Sequence, residues 1–375
     1  MAKKKKQRAS FRKNRLPRPR SGDLTSQFAA NDLDEDKISA SERISGKGEL
    51  TRHRTIRTVD CGERADDSQV VLDVDTSTCR AGRVLRVHGL SSVIQAEDGS
   101  IFECATRRLL KTLSTEDRHV VAAGDQVAFR PSGAGEGIIE RIEPRHGVLS
   151  RSIRGRRHVL VANVDQALVI SSAAEPDIKP HFIDRFLLTA EKAELRPIIC
   201  VNKIDLVEPS RLMPLVGVYA RMGYEVILTS VRESFGIERL RQMLAGRQSV
   251  VTGQSGVGKS SLLNAVEPGL GLRVAEVSAE TQKGRHTTTT AELLPLSFGG
   301  YVVDTPGIRQ FQLWDVVAAE VAGFFRDLRP FVSACRFPNC THTHEQFCAV
   351  KDAVADGWLD MRRYESYQHL LRDEP

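Results

Sequence analysis

The 375-residue chain contains no run of about 18 consecutive apolar residues, the length a membrane-crossing helix needs, and no apolar segment follows its amino-terminal lysines. A membrane span and a secretory leader are therefore not expected; a soluble, cytoplasmic monomer is. Acids are missing from residues 1–20, which hold ten Lys and Arg. With a formal net charge of +6 for the whole chain, the remainder is net acidic. The basic character thus sits in a tail of the kind that commonly contacts nucleic acid, with a merely solvated end as the bland alternative. Aromatics are scarce before residue 80, where Phe11 and Phe28 stand alone without apolar periodicity. Residues 1–80 read as a disordered extension. A disulfide framework finds no support either. Seven cysteines is an odd count, and three of them crowd into residues 335–348, which suits a metal site in a reducing compartment.

What is present begins near residue 81. Residues 82–87, 92–96, 101–104, 124–129 and 137–142 alternate or run apolar in strand fashion, and Asp98-Gly99 supplies a hairpin turn. Five short strands over residues 81–150 predict a small closed barrel. An OB-fold is the natural candidate, an SH3-like barrel the alternative that strand count leaves open. From residue 151 strands at 167–170, 197–201, 225–228 and 301–303 alternate with helical stretches at 182–195, 209–222 and 238–245. That alternation predicts a parallel α/β sheet. On the first helix Phe182, Phe186 and Ala190 form the expected apolar stripe.

The α/β region carries the chemistry. Gly253-Gln254-Ser255-Gly256-Val257-Gly258-Lys259-Ser260, between a short apolar strand and a helix that opens with Ser261, has the P-loop pattern. Its backbone N–H groups and helix N-terminus make an anion cradle. Lys259 is placed to reach the β- and γ-phosphates, and the Ser260 hydroxyl to bind Mg²⁺. A chance glycine-rich turn is the bland alternative, and the flanking strand and helix weigh against it. Asn202-Lys203-Ile204-Asp205 follows a strand end, where open sheets bind ligands. Asp205 can accept from guanine N1–H and the 2-amino group, Asn202 can donate to N7, and Lys203 can lie along the base. Adenine would leave Asp205 buried and unpaired. Thr229-Ser230-Val231 fits the loop that supports the base edge.

Asp304-Thr305-Pro306-Gly307 follows the last strand, so Asp304 can hold Mg²⁺ through water and the Gly307 N–H can touch the γ-phosphate. In the loop Gly284-Arg285-His286-Thr287-Thr288-Thr289-Thr290, Thr288, with Thr287 second, is placed to complete Mg²⁺ coordination. The guanine motif precedes the P-loop, the reverse of the common GTPase order, so the domain is circularly permuted. Ile308 occupies the place where many GTPases carry the Gln that orients water, leaving His286 as the candidate for that role. Cys335, Cys340, His342 and Cys348 offer three thiolates and an imidazole, a closed tetrahedral set for one structural Zn²⁺, with His344 the competing imidazole. Trp358, Tyr364 and Tyr367, with Arg362 and Arg363, read first as packing and second as an RNA-facing patch.

The motif order, the Gly-Arg-His-Thr-Thr-Thr loop at 284–289, the Cys/His spacing at 335–348 and Arg363-Tyr364-x-Ser366-Tyr367 together resemble the ribosome-small-subunit-dependent GTPase A family, over about residues 81–375. The resemblance implies an OB-fold domain (81–150), a circularly permuted P-loop GTPase domain (151–312) and a helical zinc-binding domain (313–375). It also implies late maturation of the small ribosomal subunit, contact with its rRNA, and hydrolysis of GTP to GDP stimulated by that subunit.

Overall fold

The structure is a computed structural model. It describes residues 76–89, 91–107, 120–153, 156–272, 291–304 and 318–372, besides Val74, Leu110 and two amino-terminal strands. Those strands, β1 (Lys4–Ser10) and β2 (His53–Val59), pair antiparallel inside the segment whose composition predicts no regular element.

The five expected barrel strands are all present. They are β3 (Arg80–His88), β4 (Ser91–Ala96), β5 (Ile101–Thr106), β6 (Gln126–Gly133) and β7 (Glu136–Ile142). Their period-two patterns turn Val84, Ile94, Phe102, Cys104, Val127, Phe129 and Ile139 into one buried cluster. The Asp98-Gly99 turn joins β4 to β5, with Gly99 at φ +83° and Ala96 N–H bonded to the Ser100 carbonyl at 2.9 Å. The pairing order β3-β4-β5-β7-β6 closes with β6 against β3. The β5–β7 pair is parallel and the other barrel pairs antiparallel. This is an OB-like barrel.

An antiparallel ribbon, β8 (Leu149–Ile153) and β9 (Arg156–Val161), leads into the α/β domain. There β10 (Gln166–Ser172), β11 (Arg196–Asn202), β12 (Glu225–Leu228), β13 (Gln248–Thr252) and β15 (Tyr301–Asp304) lie parallel in the order β12-β11-β10-β13-β15, and β14 (Glu292–Pro295) runs antiparallel at the far side of β15. Alternation sends Val169, Ile199, Val201, Val250 and Val303 to one face, and Leu168, Ile170, Ile198, Cys200 and Val302 to the other. Helix α1 (Pro180–Lys192) covers the first face with Ile183, Phe186, Leu187 and Ala190. Of the predicted stripe Phe186 and Ala190 are buried and Phe182 only partly so, and Ile183 and Leu187 widen the apolar face. Tyr219 of α2 (Met213–Arg221) joins that face. Helices α3 (Ile237–Leu244) and α4 (Lys259–Val266) cover the second. The sheet continues into the barrel through the Glu292–Arg86 pairing between β14 and β3. At this joint the Arg83 guanidinium lies 5.1 Å from the Tyr301 ring, and the Tyr301 hydroxyl donates to Gln95 Oε1 at 2.9 Å.

The carboxyl-terminal segment is helical: α5 (Ala318–Phe324), α6 (Arg329–Val332), α7 (Ala349–Ala355) and α8 (Met361–Arg372). Its core includes Leu188 of α1, so it packs directly on the α/β domain. Among the described residues no helix is long and apolar enough to cross a membrane. The seam is held by a buried charge cluster. Arg363 of α8, 3% exposed, pairs with the fully buried carboxylate of Asp184 on α1 and donates to Asp327 at 2.9 and 3.0 Å. The Tyr219 hydroxyl donates to Asp184 at 2.8 Å, and the guanidinium lies 4.4 Å from the Phe325 ring. Removing one member strands the others. Arg363→Met should cost about 3–5 kcal/mol in urea unfolding, whereas Asp184→Leu combined with Arg363→Met should recover most of it. Equal losses in the two variants would mean that the charges do not act as a unit.

Candidate nucleotide and metal sites

The carboxyl ends of the parallel strands gather the predicted nucleotide residues. β13 ends at Thr252 and α4 begins at Lys259, so Gly253–Gly258 form the loop between them. Two glycines there are obligatory. Gly253 has φ +145°, and a Cβ on it would stand 2.1 Å from the Ile170 carbonyl oxygen. Gly258 has φ +89°, and its Cβ would meet Asn202 Nδ2 at 2.6 Å. The Lys259 ammonium lies over the loop, donating to the carbonyls of Gly253 at 2.8 Å and Gln254 at 2.5 Å. Val257 is buried beneath it, while Gln254, Ser260 and Ser261 are partly exposed and Ser255 is exposed. A cradle of N–H groups at a helix start, with a lysine above it, is suited to a polyphosphate.

Asn202 closes β11 and is 2% exposed. Its Nδ2 donates to the Val257 carbonyl at 3.0 Å, and its Oδ1 accepts from Thr229 Oγ1 at 3.1 Å. The side chain read as a donor to the base therefore also ties the base loop to the phosphate loop. Lys203 adopts a left-handed φ of +60° and donates to the Glu175 carbonyl. That contact draws in the turn after β10, which brings Pro176 beside Gly256. Nothing in the sequence marked Glu175 or Pro176 for this place. Asp205 Oδ1 accepts from Ser230 Oγ at 2.6 Å, and Ser230 Oγ also accepts from the Glu233 N–H at 3.1 Å. The carboxylate is thereby fixed at the strand end beside Asn202. Asp304 ends β15, which pairs in parallel with the P-loop strand as far as Val250↔Val303, so its backbone lies at the end of that strand just ahead of the phosphate loop. Its side chain, His286, Thr288 and Gly307 lie outside the described residues.

Cys335, Cys340, His342 and Cys348 converge, their ligand atoms all within 4.8 Å of one another. The Cys335–Cys348 Sγ distance is 3.9 Å, and His342 Nδ1 lies 3.4 and 3.5 Å from those sulfurs. A tetrahedron with Zn–S bonds of about 2.3 Å has S–S edges of about 3.8 Å, so the donor set fits that ion. Burial pushes the Cys340 thiol up to about 12 and lowers the His342 imidazole. A divalent cation reverses the first preference by favouring thiolate and agrees with the second, because it binds the neutral imidazole. His344 instead bonds Thr343 Oγ1 at 3.0 Å and stands outside the cluster. The turn between the ligands is fastened by Glu345, which accepts from the N–H groups of Thr341 at 2.7 Å and Thr343 at 3.0 Å. Tyr364 and Tyr367 hydroxyls donate to the carbonyls of His342 and Thr341 at 2.7 and 2.8 Å. These tyrosines are structural, as the packing reading held, whereas Trp358 is 66% exposed. Cys104 and Cys200 are core thiols, pushed up by burial to about 11 and 12.

A phosphate loop braced by a guanine-type loop from an earlier strand, ahead of a Cys₃His cluster, is a distinctive combination. Residues 142–314 match the family model described as RsgA GTPase. The small ribosomal subunit biogenesis GTPase RsgA of Gemmatimonas aurantiaca is 43% identical over 303 residues, 80% of this chain and 98% of that protein. The chain belongs to the RsgA GTPase family. The like-named protein of Thermotoga maritima is 38% identical over 296 residues, 78% of this chain and 96% of its own length. Crystal structures of YjeQ from Thermotoga maritima and of YloQ, a circularly permuted GTPase, match with TM-scores of 0.66 and 0.62 at 34% and 30% identity. Each covers 79% of this chain, which in turn spans 98% and 96% of them.

We propose that Asp205, held at the strand end by Ser230, is the group that distinguishes guanine from adenine. Asp205→Asn replaces one acceptor oxygen by a donor, and should cut the preference for GDP over ADP by about tenfold or more. Titration of both nucleotides checks this; an unchanged ratio would remove Asp205 from the base pocket.

Proposed function

We propose that this RsgA-family GTPase binds the small ribosomal subunit, contacts its rRNA and hydrolyses GTP late in the subunit's maturation, with the subunit stimulating turnover. The observation that carries the reading is the Asn202–Val257 hydrogen bond, which joins a guanine-reading loop to a phosphate cradle in the permuted order. The relatives named for small-subunit biogenesis support the choice of partner. GTP and GDP are the ligands. Ser260 and Thr288 would hold Mg²⁺ directly and Asp304 through water, and the ion would neutralise charge on the β- and γ-phosphates. Lys259 and the loop N–H groups position those phosphates, while the Gly307 N–H senses the γ-phosphate. The basic residues 1–20 add phosphate contacts, which makes binding to the subunit strongly salt-dependent. We place the protein in the cytoplasm as a monomer.

Cys335, Cys340, His342 and Cys348 would hold one Zn²⁺ with no open position, so the ion's role is to fix the fold. Cys340→Ser should release the metal, measured by atomic absorption. It should also lower the melting temperature of the whole chain, because Tyr364 and Tyr367 carry the loss into α8 and on to Asp184. Loss of metal with an unchanged melting curve would confine the ion's role to its own turn.

Ile308 offers no hydrogen bond to the attacking water, so another group must guide it. We assign that role to His286, next to the Mg²⁺-binding threonines. Purified small subunits should raise GTP turnover in a phosphate-release assay. His286→Ala should remove about 100-fold of the stimulated rate while leaving GTP affinity and slow basal turnover nearly unchanged. Absence of stimulation in the parent would refute the functional reading; equal stimulation of the variant would refute only the role of His286.

A further inference from the structure

The metal cluster also shapes a surface that neither coordination nor packing requires. Arg336 directly follows one ligand, Cys335, and Phe347 directly precedes another, Cys348. The Arg336 N–H bonds the Phe347 carbonyl at 3.4 Å, so the two are joined at the backbone. Phe347 has φ +58°, a left-handed conformation that is costly for an aromatic residue. Its ring is 64% exposed and that of Phe337 44%, although the apolar core of the segment begins at the next residue, Cys348. The Arg336 guanidinium carbon lies 5.0 Å from the centre of the Phe347 ring and 5.8 Å from that of Phe337. Glu345 is the only acid between residues 333 and 348, and both its oxygens are bonded to the Thr341–Thr343 turn. Residues 333–348 therefore present two aromatic rings and one cation, and their single carboxylate is engaged by the turn.

We infer that Arg336, Phe337 and Phe347 form a platform for an unpaired RNA base, the rings stacking on the base while the guanidinium meets the neighbouring phosphate. Rings of this kind accept any base by its π-face, and Arg adds both stacking and charge. Duplex RNA keeps its base faces stacked, so the platform takes single-stranded loops and ends. An apolar peptide would leave the cation uncompensated. The inference rests on the reading that the chain works on ribosomal RNA, and it adds which side chains recognise which state of that RNA.

The test uses the full-length, metal-loaded protein and an unstructured oligoribonucleotide carrying a fluorescent purine analogue. The same oligomer annealed to its complement and intact small subunits serve as comparisons. Phe337→Ala and Phe347→Ala should each weaken single-strand binding about tenfold and abolish stacking-induced quenching. Phe347→Trp should retain both. Arg336→Gln should lower the slope of log affinity against log salt by about one. Bound metal and basal GTP turnover, which involve none of these side chains, should be unchanged. Undiminished oligomer binding by both Phe variants, or an equal loss on the duplex, overturns the platform. A loss seen on subunits but not on the oligomer also overturns it, by assigning the patch to a ribosomal protein. If the parent binds neither subunits nor RNA, the functional reading itself falls. If the parent binds subunits and both Phe variants bind them and the oligomer equally well, only the platform does.

Discussion

The nucleotide site depends on the amide of Asn202. The base loop follows β11 and the phosphate loop follows β13, and β10 lies between those strands. Their backbones have no ladder in common. The hydrogen bond from Asn202 to the Val257 carbonyl spans the gap and, because a carbonyl only accepts, fixes which end of the amide is nitrogen, while Thr229 donates to the other end. In a buried setting each such bond adds on the order of 1 kcal/mol, but breaking one strands a polar group at about 1–3 kcal/mol. The spacing between the loop proposed to read guanine and the loop proposed to hold the phosphates is thereby set by the protein itself.

The carboxyl-terminal helix α8 performs a comparable service for the Cys₃His cluster. It lies between the ligand turn and the α/β domain. Tyr364 and Tyr367 bond the backbone of the turn, while Arg363 reaches Asp184. The short motif Arg-Tyr-x-Ser-Tyr is therefore a two-sided bracket. The Cys₃His cluster and the helix that covers the nucleotide sheet are linked through the side chains of a single element.

Much of this was legible in the sequence where local pattern and tertiary role coincide. Period-two alternation located all five barrel strands, and the Asp98-Gly99 turn needs no distant partner. The P-loop was readable because its glycines answer to local backbone geometry. Legibility failed where a residue's role is set across the sheet. Arg362 and Arg363 are adjacent and identical in type, yet one pairs with nearby Asp360 at the surface and the other is buried against Asp184 and Asp327. Only the fold separates them. The choice of His342 over His344 turned likewise on which imidazole the turn delivers to the cysteines. Asn202 was expected at the base; its bond to Val257 depends on a pairing between loops that no one-dimensional spacing encodes.

The contact between Gly258 and Asn202 has a consequence for how such a pocket can be altered. The missing side chain at 258 leaves the room that the amide at 202 occupies. The two positions behave as one piece divided between two loops. An engineer who wished to recast the pocket for another base could not exchange the base loop alone, because a bulkier residue at 202 would press on the phosphate cradle and a smaller one would leave it unsupported. Base preference and phosphate grip are mechanically geared to one another, and they can be redesigned only together.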